Sequence, residues 1–194
     1  MGILEFLESN GLAVLLRESP SVLGYPTVLA FHTLGMAMLV GPSVGIALRM
    51  LGVAPGVPLA PLEKFFPVVW LGSLISLVSG LLLLMLKATV FLATPAFYIK
   101  LLAIVAAVMV TRSLRTRVFG DRTAISTGPV PREGQILAGA MLISWWVAVT
   151  AGRMTAYDSS IGSQTAVAVF ILTVVLLVGG YVAVRVWGAK PSAQ

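Results

Sequence analysis

The sequence predicts an all-α protein: a polytopic transmembrane bundle of five spans, preceded by short helices on the membrane surface. Three observations carry this. Hydrophobic residues form 58% of the 194-residue chain, charged residues 10%, and the mean hydropathy is +1.01, whereas a soluble domain is roughly 25% charged. Five apolar stretches approach or exceed the roughly 20 residues that cross a bilayer. Lysines and arginines gather at alternate ends of those stretches, as the positive-inside rule requires. The composition excludes a water-soluble globule and a disordered chain alike.

Taken in order, residues 1–22 form an external interfacial segment. Ser9-Asn10-Gly11 divides it into two short apolar pieces flanked by Glu5, Glu8, Arg17 and Glu18, each too short to span and suited to lie on the surface. This opening is not a signal peptide, because Glu5 and Glu8 stand where a basic region is required. Phe6 likewise defeats a myristoylation reading of Gly2. The spans run over about 26–50, 67–88, 95–112, 135–152 and 165–187, in a single membrane domain covering 1–194. Pro26, Pro67 and Pro95 each open a span, where the missing N–H costs nothing. Pro42 predicts a kink in the first span. Small residues recur at every fourth position as Ala37/Gly41/Gly45, Gly72/Ser76/Gly80 and Ala140/Ser144/Ala148/Gly152. That spacing predicts tight contacts among the first, second and fourth spans, since close backbone approach drives helix association in lipid.

Orientation follows from charge. Arg49, Lys64, Arg112, Arg115, Arg117, Arg122, Arg132, Arg185 and Lys190 lie at one set of ends, with Glu63, Asp121 and Glu133. Arg17, Lys87 and Arg153 lie at the other, with Glu5, Glu8, Glu18 and Asp158. The first set is therefore cytoplasmic, with the C-terminus and the 113–134 loop, and the N-terminus is external. A bacterial inner membrane is the expected location. Anionic headgroups are the expected partner of the basic face, ahead of a docked soluble protein, and nothing in this pattern points to nucleic acid.

His32 is the sole histidine and lies inside an apolar run, where an ionisable ring marks a function or a structural hydrogen bond. It falls about six residues below the outer end of its span, roughly 9 Å at 1.5 Å per residue. Lys100 lies at a similar depth in the third span, which runs the same way, and Arg153 and Tyr157 follow the fourth where it leaves the membrane. His32, Lys100, Arg153 and Tyr157 are thus the candidate cofactor-binding set. Each also has a plainer role: His32 donating to a neighbouring carbonyl or hydroxyl, Lys87 and Lys100 snorkelling, Arg153 and Tyr157 anchoring at the interface. Trp70, Trp145, Trp146, Met36 and Met38 could flank a cofactor, although packing accounts for them more simply. With no cysteine and one histidine, thiol nucleophiles, iron–sulfur clusters, intrachain bis-histidine haem and multi-histidine metal sites are excluded. No catalytic residue and no metal ligand is assigned.

Several phrases together resemble a family of bacterial five-helix inner-membrane proteins known as a domain of unknown function. They are Tyr25-Pro26 with His32 and Gly35, Leu48-Arg49 with Leu51-Gly52, Trp70 with Gly72 and Ser79-Gly80, Pro95 with Phe97 and Lys100, and Gly152-Arg153 with Ala156-Tyr157. The resemblance implies that family's fold, with His32, Arg49, Lys100, Arg153 and Tyr157 at its polar positions, and no established reaction. Leu29 and Ala47 depart from the pattern, standing where that family tends to carry acids, which weakens a proton-relay or metal role. A looser likeness to membrane cytochrome b and copper-resistance permeases rests on helix number and a buried histidine.

Three functions follow in order of expectation. The first is a non-enzymatic membrane subunit or scaffold with a polar pocket near the external face, acting with a membrane or periplasmic partner or as a homo-oligomer. The second is an electron-transfer subunit holding haem b or quinone through His32. The third is a small-solute or metal permease, for which the absence of carboxylates inside the spans is a poor foundation.

Overall fold

The computed structural model describes residues 2–19, 22–120 and 130–155, together with Gln164, Ala168, Ile171 and Val175. Every regular element among them is helical: α1 (Ile3–Ser9), α2 (Gly11–Glu18), α3 (Tyr25–Met50), a 3₁₀ turn (Ala60–Phe65), α4 (Phe66–Leu86), α5 (Ala88–Ala93), α6 (Pro95–Arg117) and α7 (Arg132–Met154). Four stretches are long and apolar enough to cross a membrane: α3, the 3₁₀ turn continued by α4, α6 and α7. They are the helices of a multi-pass membrane protein. The expected fifth span, 165–187, falls outside the described residues apart from Ala168, Ile171 and Val175.

The helices form two antiparallel pairs, α3 with α4 and α6 with α7, joined by contact between α3 and α7. On the first pair Gly35 faces Ser76 while Leu39 faces Gly72; on the second Lys100 meets Gly152 while Thr111 meets Met141. The buried core runs between the pairs through Leu39, Ile46, Met50, Phe66, Val69, Leu114, Met141 and Trp145. Most apolar side chains point away from it: Leu74, Leu77, Val78 and Leu81 on α4, and Leu102, Val105 and Met109 on α6, are all exposed. An apolar surface of this extent is tolerable only against lipid.

The packing differs from the small-residue stripes in two ways. Ala37, Gly41 and Gly45 lie on an exposed face of α3, and neither glycine has a described neighbour within 4 Å. The close approach is made instead by Gly35. A Cβ there would lie 2.7 Å from Ser76 Oγ and 2.8 Å from Ser76 N, and one on Gly72 would lie 2.8 Å from Gly35 O. The second difference concerns α6, which pairs with α7 through its own stripe of Ala103, Ala107 and Thr111, all buried. Thr111 donates to Ala107 O at 2.7 Å and approaches Met141 Sδ at 3.2 Å. α3 runs through Pro42 as one helix.

Connections and ends are set locally. α3 stops at Gly52, whose φ of +92° suits a residue without Cβ. Gly52 N–H donates to Arg49 O and Val53 N–H to Leu48 O, the double bond of a Schellman cap. The Arg49 guanidinium then ties the following loop by donating to the carbonyls of Pro55 and Val57. At the same end Phe119 meets Phe66 edge-on with centroids 5.1 Å apart, and Arg115 lies 5.8 Å over the Phe66 ring. Arg117 and Glu133 pair at 2.7 Å on the surface.

α1 and α2 break at Asn10, as the sequence predicts. Its side chain accepts from Ala13 N–H at 2.9 Å and donates to Leu7 O at 2.7 Å, holding both helices. Glu8 reaches across the chain to Thr89, accepting from its N–H and its hydroxyl, both at 2.7 Å. These two bonds, the hydroxyl first, hold the Glu8 carboxyl below its ordinary value of 4.5.

Candidate functional site

Two turns into α3, His32 leaves the lipid-facing surface and turns toward α4. Its Nδ1 lies 3.0 Å from Ser79 Oγ. The Ser79 hydroxyl has one hydrogen, and Ile75 O at 2.6 Å takes it in the short i−4 bond common for serine in membrane helices. Ser79 Oγ therefore accepts from His32 Nδ1–H in this arrangement. The ring rests on Gly80, where a Cβ would come within 3.3 Å of Cε1. The ring is half-buried.

Lys100 arrives from the other pair. It is half-buried on α6, and its stem lies along α7 at Gly152, where a Cβ would be 3.5 Å from Cδ and Cε and 3.7 Å from Nζ. A larger residue at 152 would displace that stem. Among the described residues the ammonium has neither a hydrogen-bond partner nor an ion pair. The only acids in the four membrane-length stretches, Glu63 and Glu133, stand at the opposite end. Four helices thus bring His32, Ser79, Lys100 and Gly152 to one end of the bundle. Ser76 Oγ, buried beside Gly35, has no hydrogen-bond partner among the described residues.

Arg153, next to Gly152 in the last turn of α7, is exposed. Tyr157 lies outside the described residues. Trp145 is a core residue, 1% exposed, and its indole N–H has no hydrogen-bond partner among the described residues. The described residues contain no group of three histidines, cysteines or acids able to hold a metal. Ser79 was not singled out from sequence, although it lies about as far from Lys87 as His32 does from Tyr25 and is polar in a leucine-rich run. Matching depths across an antiparallel pair would have found it.

Beside this cluster the lipid-facing side of the α3–α4 pair carries an open apolar crevice of about 330 Å³, lined by Thr27, Phe31, Leu74, Val78, Ser79 and Leu82 among others. Ser79 belongs to both features.

Comparison with known proteins finds no matching family model, no matching curated protein and no matching solved structure.

Proposed function

We propose that the protein is a non-enzymatic subunit or scaffold of a bacterial inner membrane, with a ligand-binding polar site in the outer half of its bundle. Its N-terminus is external, and its basic end engages anionic headgroups in the cytoplasmic leaflet. The supporting observation is that four helices carry polar or small residues to one end of the bundle, His32 bonded to Ser79 and Lys100 laid along Gly152. A histidine and a lysine without a carboxylate form no complete general acid–base set, so binding suits this site better than catalysis. The resemblance to the five-helix family belongs to the same reading.

The test is a double-mutant cycle on thermal stability in detergent, with His32→Ala and Lys100→Gln. Residues that share a site give non-additive losses; strict additivity would show that the two never meet and would end this proposal.

A second reading is an electron-transfer subunit that binds haem b or quinone through His32. The observation favouring it is the tautomer. With Nδ1 held by Ser79, Nε2 is the nitrogen that would ligate a haem iron or accept from a quinol hydroxyl. Haemin titration decides the haem version: a Soret shift lost in His32→Ala supports it, and a spectrum of free haemin throughout rejects it.

A further inference from the structure

Among the described residues the chain passes between the two helix pairs once, through α5, which joins α4 to α6. Both ends of α5 leave the helical region, Lys87 at φ −148°, ψ 49° and Thr94 at φ −98°, ψ 118°. α5 is fixed to α6 all the same: the Tyr98 hydroxyl donates to Leu92 O at 2.9 Å, and the Phe91 and Phe97 rings stack with centroids 6.0 Å apart. Lys87 is then the joint between the pairs, since hinges are element-terminal residues that absorb a change in φ and ψ. The N-terminal arm bridges that joint. α1 packs on α4 and α5, α2 packs on α4, and Ala13 of α2 is fully buried. From this seat Glu8 Oε1 accepts from the N–H and the hydroxyl of Thr89, both at 2.7 Å. An arm seated on one pair thus holds the connector that belongs to the other. The opposite end is fastened differently. There Phe66 of α4 meets Arg115 of α6 and Phe119 just past it, and a Cβ on Gly134 of α7 would lie 2.6 Å from Met50 Cε of α3. Any separation of the pairs therefore opens at the α5 end.

Resting on the reading of this end as a binding site, we infer that the arm is a latch: with Glu8 on Thr89 the pairs are held together, and with Glu8 released they swing apart about Lys87. The swing separates the two halves of the site, His32 with Ser79 on one pair and Lys100 with Gly152 on the other. Acid is the trigger, because protonation removes the charge that strengthens both bonds to Thr89. The Thr89 hydroxyl, then its N–H, favour the ionised carboxyl, and Arg17 adds a smaller attraction. The elements packed on α1 supply little else that titrates. α4 and α5 carry no ionisable side chain between Phe66 and Leu86 or between Ala88 and Ala93. α2 carries Arg17 and Glu18, paired at 3.5 Å. Glu5, on α1 itself, accepts from Gly2 N–H at 3.2 Å. Lys87 at the joint and Tyr98 on α6 do not change charge in the carboxylate range.

The experiment measures the distance between the pairs in the full chain in phosphatidylcholine nanodiscs. The sequence has no cysteine, so Leu29→Cys on α3 and Leu102→Cys on α6, both exposed, take one spin label each. Pulsed electron resonance should give one narrow distance at neutral pH and a longer component that grows severalfold as pH falls through the carboxylate range. Glu8→Gln should show the longer component already at neutral pH and lack the acid growth. Thr89→Val, which loses the hydroxyl but keeps the N–H, should fall between the two. Glu5→Gln and Glu18→Gln should keep the acid step; its loss in either would assign the trigger to that residue and overturn Glu8. A neutral-pH distance in Glu8→Gln identical to that of the otherwise unchanged chain overturns the latch. So does an acid step that frees residues 3–9 to hydrogen exchange without moving the distance, since α1 is then a passive cover. The His32/Lys100 cycle separates this inference from the reading beneath it. A non-additive cycle with a distance indifferent to Glu8 keeps the site and ends the latch; an additive cycle with a distance that follows Glu8 keeps the movement and ends its role at a site.

Discussion

Replacing Gly35 by alanine should destabilise the bundle by about 2–3 kcal/mol, while Gly45→Ala on the same helix should stabilise it slightly. At Gly35 the added Cβ would sit 2.7 Å from Ser76 Oγ, 2.8 Å from Ser76 N and 3.0 Å from Gly72 O. The serine hydroxyl can rotate away, but the other two atoms are backbone, so α4 itself must retreat. Ordinary contact begins near 3.4 Å, and the required movement is therefore about half an ångström. A gap of about 0.5–1 Å forfeits a quarter to a half of each dispersion contact of about 0.1–0.2 kcal/mol. Over some tens of atom pairs along α3 and α4 that is about 1–2 kcal/mol, within the range of about 1–3 for an overpacked interface. Strain in the His32–Ser79 bond three residues away adds to it, because such interhelical bonds are worth about 0.6 kcal/mol. At Gly45 nothing lies within 4 Å, so alanine brings only its better helix propensity, about 0.5–1 kcal/mol. Thermal denaturation in detergent, followed by tryptophan fluorescence, measures both. A Gly45→Ala loss as large as that of Gly35→Ala would refute the assignment of faces on α3.

Two further perturbations test the ends of the molecule. The Glu8 carboxyl is held below its ordinary value by Thr89, so its contribution to holding α1 is complete above about pH 4.5 and is lost as pH falls through its lowered value. Hydrogen exchange of residues 3–9 should accelerate over that acid range in the wild type, whereas Glu8→Gln should exchange faster at neutral pH and lack the acid step; an unchanged acid step in Glu8→Gln would place the titrating group elsewhere. At the other end, Arg49→Lys should cost about 1–2 kcal/mol, because an ammonium cannot reproduce the guanidinium's two-point hold on Pro55 O and Val57 O. A Tm equal to wild type would show that the loop needs no such tie.

Much of the architecture is legible along the chain because its causes are local. Span lengths follow from the thickness of hydrocarbon, and Pro26, Pro67 and Pro95 each fall in the first turn of a helix. Asn10 divides α1 from α2, as its neighbours imply. The short α5 was not foreseen: Lys87 leaves the helical region at φ −148°, and one further turn forms before Pro95 can open α6. The end of α6 also ran past its expected limit, since Arg112, Arg115 and Arg117 carry good helix propensity into water.

What the sequence by itself determined is the apolar surroundings this protein requires and the four membrane-length helices it makes. Each of these depends on a residue and its near neighbours. The tertiary structure decided which face of each helix is buried. Gly35, Gly41 and Gly45 look alike in one dimension, and only crossing geometry separates the backbone contact at Gly35 from the exposed positions at Gly41 and Gly45. The same geometry joined His32 to Ser79 and laid Lys100 along Gly152. In lipid no hydrophobic difference marks the inner face of a helix, so partner choice falls to shape, and shape is a property of pairs.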